Sequence, residues 1–220
     1  MRFDFRFFRR PGGLVLAFAL AVALAGCATS VNSLSKLEME QIFIQSVDVR
    51  YAPDAGIWWG NAEREYAAKV TAEGKAPKKK ESSGTPGDNS ADDYREIMST
   101  PEAQAYLRDK LAGLIKQRFA QDISPHFRGT RAMRVEVEVH GFTIPSPLQR
   151  VALGGTPMLF ALTTLKDATT GKEVAKLDKG AAGMAMSGVL GVALDQGLPD
   201  LEDRVMDSYS ENVSEWLKGK

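Results

Sequence analysis

A thiol and two imidazoles are the sparse reactive endowment of this chain: Cys27, His126 and His140. His140 follows Glu136 and Glu138 at two-residue steps. In an extended strand those three side chains share a face, an arrangement that a metal ion or a general acid–base pair could use. A solvent-facing strand carries the same alternating letters, and that plainer account is the stronger. His126 follows Ser124-Pro125 at a helix end, where a histidine is commonly a cap or a surface residue. The chain contains no Gly-x-Ser-x-Gly elbow, Walker loop, His-Glu-x-x-His or Gly-x-Gly-x-x-Gly, so no catalytic residues, metal or cofactor are expected. Cys27 is the only cysteine. It has no disulfide partner within the chain, and something else must account for it.

The residues around Cys27 supply the account. Residues 1–13 carry Arg2, Arg6, Arg9 and Arg10 against a single Asp4, and residues 14–25 (LVLAFALAVALA) hold no charge. A basic stretch followed by a short apolar run is the pattern of a signal peptide. As a helix the apolar run would reach only about 18 Å, short of the ~30 Å hydrocarbon core. Leu24-Ala25-Gly26-Cys27 follows and resembles the bacterial lipobox. That resemblance implies a diacylglyceryl group on the Cys27 thiol and cleavage that leaves Cys27 as the first residue. Two or more acyl chains give stable membrane attachment where one gives only reversible binding. Ala28 stands where an Asp would typically hold such a protein in the inner membrane. The implied location is therefore the periplasmic face of the outer membrane, with the lipid anchor as the membrane contact.

Without residues 1–26 the chain has 24 basic and 27 acidic residues, a formal charge of about −3. That balance excludes a typical nucleic-acid binder. The remaining 194 residues suit one domain of ordinary size, and they contain no apolar stretch long enough to span a bilayer.

The elements that would position any site read as follows. Residues 27–40 form a lipidated tether, in which a flexible run of about ten residues would span roughly 17 Å. Residues 41–70 supply a first strand, Gln41 to Val49, then a turn cluster from Tyr51 to Gly56, then a short helix from Ala62 to Val70. Residues 71–93 contain no aromatic residue and no Ile, Leu, Val or Met, and are expected to be a disordered insertion. Residues 94–220 form the main domain. Thr100-Pro101-Glu102 starts a helix that runs to about Asp122, with Ala103, Leu107, Leu111, Leu114, Ile115 and Phe119 on one stripe. Met133 to His140 alternates as a half-buried strand, and Gly141 shifts its phase as a bulge would. Pro157 to Lys166 and Glu173 to Leu177 form a hairpin about the turn Asp167–Lys172. A final helix runs from Asp200 to Lys218. The fold class is α/β (α+β): a two-layer sandwich with two long amphipathic helices on a mostly antiparallel sheet.

The strand from Arg134 to Val139, a loop with Gly154-Gly155, the hairpin from Leu165 to Val174, a Gly-rich run and the C-terminal helix together resemble a group of small proteobacterial envelope lipoproteins of unknown function. The likeness covers roughly residues 95–218 and the lipobox. It implies an envelope lipoprotein and, beyond Cys27, no functional residues.

Three features could bind a partner. Trp58 and Trp59 are adjacent, so an extended chain points them opposite ways and leaves one free for flat contacts with sugars, peptides or headgroups. The Gly- and Ala-rich run 180–194 is apolar, although a buried loop closing the core explains it better. Lys75 with Lys78, Lys79 and Lys80 forms a basic knot, most simply a solvated surface. The function expected is non-enzymatic binding or scaffolding in the cell envelope, with a protein or the cell wall as partner. The alternative is an accessory role in envelope transport of a lipid or other apolar ligand.

Overall fold

The alternation around Val135 becomes the inner part of a mixed β-sheet with helices, an α/β fold. The computed structural model describes residues 31–32, 34–75, 97–145, 150–151, 155–182 and 200–218. Its strands are β1 (Val31–Asn32), β2 (Ile42–Trp59), β3 (Arg131–Ile144), β4 (Met158–Asp167) and β5 (Glu173–Ala182). They lie in the order β1-β5-β4-β3-β2. Only β2 and β3 pair in parallel, and β1 with β5, β5 with β4 and β4 with β3 are antiparallel. The helices are α1 (Lys36–Glu40), α2 (Gly60–Ala72), α3 (Pro101–Arg118) and α4 (Leu201–Leu217). A parallel pair needs a long crossover, and α2 and α3 lie within the one that joins β2 to β3.

Residues on one parity of the strands bury one face. Val135, Val137 and Val139 of β3 and Leu159 and Leu165 of β4 are almost wholly buried, as are Leu107, Leu111 and Ile115 of α3 and Val205, Tyr209 and Val213 of α4. Together they make one hydrophobic cluster. Helix α3 begins where its cap residues say it should. The Thr100 hydroxyl accepts from the Ala103 amide, and Pro101 occupies the first turn. The expected run to Asp122 loses α geometry at Arg118 and continues as a π turn, Phe119–Ile123. The wider turn sets Phe119 and Ile123 on the same side, and both are fully buried.

Three expectations are corrected. Residues 27–40 are not all tether: Val31 and Asn32 pair with Lys176 and Ala175 of β5. Ser35 caps α1 in a capping box with Glu38, so local hydrogen bonds order this short segment. Tyr51–Gly56 does not end the first strand. The register of β2 slips between Tyr51↔Val139 and Gly56↔Gly141, so residues 52–55 bulge opposite His140 alone and the strand resumes to Trp59. Pro53 is tolerated because β2 is an edge strand, where a missing N–H need not break the ladder. Thr71 and Ala72 belong to α2. Of the expected insertion, residues 76–93 lie outside the described residues, as do Cys27, Lys78, Lys79 and Lys80, and residues 183–194 of the Gly-rich run.

Polar contacts lock the helices together. Arg118 reaches Asp203 at 2.6 Å and Asp207 at 2.8 Å, joining the end of α3 to α4. The Trp59 indole N–H donates to Glu202 at 2.9 Å. Lys110 and Tyr106 of α3 both bond Glu65 of α2, and these hydrogen bonds hold the Glu65 carboxyl below its ordinary range.

Candidate functional site

The parity that leaves one sheet face under the helices puts the other in solvent. On β2 and β3 this open face carries Asp48, Arg50, Arg134, Glu136 and Glu138, with Lys166 beside them on β4. Every carboxylate here meets a cation. Arg50 bridges Glu136 at 3.4 Å and Glu138 at 2.8 Å. Lys166 reaches Glu136 at 2.6 Å, and Arg134 lies 3.5 Å from Asp48. His140 Nε2 sits 3.3 Å from Glu138 Oε1 at the bulge.

So His140 and Glu138 do come together, but as members of a charge lattice on the open face, in which Glu136 and Glu138 are part-buried and matched to cations. Among the described residues no group of three or more His, Cys, Asp or Glu could hold a metal ion. His126 is exposed in a 3-10 turn that precedes β3, and is not one of the residues that pair in that lattice. Lys75 pairs with Glu73 at 2.9 Å.

The character of the open face changes at one end. Past the bulge, Gly56 pairs with Gly141 and Gly141 with Phe160, while Trp58 pairs with Thr143. Trp58 is 66% exposed and Phe160 49%. Both rings lean over the glycines. A Cβ on Gly56 would stand 3.3 Å from Trp58 Nε1, and one on Gly141 would stand 3.8 Å from Phe160 Cδ2. From the strand and residue spacings the two aromatic positions are about 12 Å apart. Val151, in the β3–β4 connection at the same end of the sheet, is 39% exposed.

The tryptophan pair alternates as extended backbone requires. Trp59 points inward, is 2% exposed and packs edge-on against Phe142 at 5.2 Å. Its ring is therefore not available as a partner contact, and of the pair only Trp58 presents one. Phe160 was not legible as its companion. The segment Leu159-Phe160-Ala161-Leu162 is apolar on both parities, so nothing within β4 says which side faces solvent. The signal lies on the neighbouring strand, where Gly141 leaves room for the ring.

The hairpin that carries the family-like motif has a structural rationale. Asp167 Oδ1 accepts from the Thr169 amide at 3.1 Å, the Thr170 amide at 2.9 Å and the Thr170 hydroxyl at 3.0 Å. Arg131 donates to Oδ2 at 3.0 Å. Chiefly through the backbone bond from Thr170, with Arg131 next, the Asp167 carboxyl is held down at about 2. Gly171 takes φ +71°, a conformation glycine adopts without steric cost. Asp, Thr and Gly are thus what this turn needs to close.

A shallow concavity of about 270 Å³ lies along α4, lined by Asp122, Asp207, Ser210, Glu211 and Ser214. Among the described residues no helix is long and apolar enough to cross a membrane.

No family model matches the chain, and no curated protein does. Among solved structures it is similar to a protein provisionally described as a lipoprotein from Caulobacter crescentus CB15. The identity is 18% over 50% of this chain and 84% of that one, with a TM-score of 0.29. It is also similar to a single-residue variant of the PelC dodecamer from Paraburkholderia phytofirmans. There the identity is 13% over 88% of this chain and 98% of that one, with a TM-score of 0.35. At these values the likeness assigns neither fold nor function.

Proposed function

We propose that this chain is a lipid-anchored protein of the bacterial envelope, acylated on Cys27 and held at the periplasmic face of the outer membrane. Its role there is binding or scaffolding rather than catalysis. The observation that carries the reading is Leu24-Ala25-Gly26-Cys27, set directly after a basic stretch and a twelve-residue apolar run. The fold agrees with a domain worn close to its anchor, because β1 starts at Val31, four residues beyond the cysteine. In this reading α3 and α4 are the two amphipathic helices of a two-layer domain. The open sheet face, with its carboxylates matched to cations, is the surface a soluble envelope protein or cell-wall polymer would meet.

Labelling growing cells with a radioactive fatty acid, followed by membrane fractionation, tests it. Wild-type protein is expected to carry label and sediment with outer membranes. Cys27→Ser is expected to carry none. Unlabelled wild type, or label persisting in Cys27→Ser, would overturn the reading.

A further inference from the structure

The direction of β1 says which end of the domain faces the anchor. Val31 sits opposite Lys176 and Asn32 opposite Ala175. Read backwards, the strand therefore runs toward the Ala182 end of β5. That is the end where Gly180 pairs with Phe160, Phe160 with Gly141 and Trp58 with Thr143. Cys27 precedes Val31 by four residues, so its Cα lies within about 14 Å of Val31. The Phe160 row is four residues along β5 from Lys176, about 13 Å. Across the sheet, Phe160 lies two strands from β1 and Trp58 four, about 10 and 19 Å, so the tether leaves the sheet at the end that carries the aromatic residues, nearer Phe160 than Trp58.

We propose that Trp58 and Phe160 are a second, non-covalent membrane contact: the aromatic end of the open face rests on the headgroup layer of a phospholipid surface, with Val151 at its margin. This rests on the acylation of Cys27 proposed above. The chemistry fits that one occupant. An indole has an apolar body and a polar N–H, and tryptophan concentrates where one side is hydrocarbon and the other is wet. The charge lattice of Arg50, Glu136, Glu138 and Lys166 begins on the far side of the bulge and remains in water. A tethered domain with one aromatic end and one ionic end has a fixed tilt. The bilayer takes the aromatic end, and the ionic face is left clear for a partner.

The lone cysteine gives a direct test. The chain from Cys27 to Lys220 is coupled through its thiol to maleimide-headgroup phospholipid in phosphatidylethanolamine–phosphatidylglycerol vesicles. This imposes the tether whether or not the cell acylates the cysteine. Part of the vesicle lipid carries bromine on the acyl chain just below the headgroup, which quenches nearby indoles. Wild type is expected to lose emission on brominated vesicles relative to plain ones. Trp58→Phe, which keeps the buried Trp59 and Trp216, is expected to lose none of the emission it retains. Phe160→Ser is expected to quench less than wild type, and aqueous iodide should reach Trp58 less well on vesicles than in solution. Equal quenching of wild type and Trp58→Phe, or unchanged iodide access on tethered protein, would overturn the proposal. Circular dichroism of each variant confirms that it is folded. The fatty-acid labelling described above decides natural acylation separately, so either idea can fail without obscuring the other.

Discussion

The hydroxyls of Thr163 on β4 and Tyr209 on α4 meet at 2.7 Å inside the core. Both residues are only 1% exposed, and burial pushes the Tyr209 phenol well above its ordinary range, so the bond joins two neutral groups. Tyr209→Phe leaves the Thr163 hydroxyl without this partner in an apolar setting. The expected cost is about 1–2 kcal/mol. Adding Thr163→Val removes the orphan as well, so the double variant should be destabilised by less than the sum of the single ones. Urea denaturation of the four proteins in the cycle measures the coupling. A zero coupling energy would show that the hydroxyls do not support one another.

Two glycines should behave oppositely. A Cβ on Gly129 would lie 1.9 Å from the Gln41 carbonyl carbon, and the Gly129 amide donates to the Ile42 carbonyl at 2.8 Å. The obstacle is backbone at the root of β2 and cannot swing aside. Gly129→Ala is expected to cost at least about 3 kcal/mol or to prevent folding. Gly113 lies within α3, and an added Cβ there would meet nothing within 4 Å. Gly113→Ala should raise stability by about 0.5–1 kcal/mol through helix propensity alone. Thermal unfolding of the two variants separates these outcomes. A well-folded Gly129→Ala would show that the β2–β3 junction is looser than the contact implies.

Much of this architecture is legible because local rules act within short windows. The Thr100-Pro101-Glu102 start of α3, the alternation from Met133 to His140 and the Asp167–Gly171 turn each state their conformation in a few residues. The phase shift at Gly141 corresponds to the register slip between β3 and β4. What was missed depends on partners distant in sequence. Pro53 reads as a strand breaker until β2 is known to be an edge. Val31 and Asn32 read as tether until β5 offers them a ladder, although Ser35 and Glu38 already spelled a capping box. The parallel pairing of β2 with β3 leaves no mark on either strand alone. The aromatic end was half visible: adjacent tryptophans in extended chain must diverge, but Phe160 needed the glycines across the sheet to show its side. The His140, Glu136 and Glu138 pattern shows the converse limit. Spacing placed the carboxylates on one face, and only Arg50 and Lys166, from other strands, reveal that they are already neutralised.

The tryptophan pair offers a test of that divergence by stability alone. Trp59 fills the core, packs on Phe142 and donates to Glu202. Trp59→Ala opens a cavity and orphans a contact between β2 and α4, with an expected loss of about 3–5 kcal/mol. Trp58 is largely exposed, its ring lying over Gly56, and Trp58→Ala should shift stability by no more than about 0.5 kcal/mol. Guanidinium midpoints of the two variants make the comparison. Similar losses for both would mean that Trp58 is a packing residue, and its exposure would lose its bearing on membrane contact.

The hairpin aspartate predicts a pH signature with a definite sign. The Asp167 carboxyl is lowered from 3.8 to about 2, first by the backbone bond from Thr170 and then by Arg131. A folded-state value below the unfolded one means that the ionised carboxylate favours folding. That contribution is fully present above about pH 4 and is lost as the pH falls through about 2. Asp167→Asn keeps an oxygen to accept from Thr169 and Thr170 but removes the charge facing Arg131. The melting temperature of the variant should therefore lie furthest below wild type above about pH 4, and the gap should narrow steadily toward pH 2. Melts of both proteins across pH 2 to 7 at constant ionic strength check it. A gap that stayed constant over that range would mean the turn is held by its hydrogen bonds alone and that the charge between Asp167 and Arg131 does not contribute.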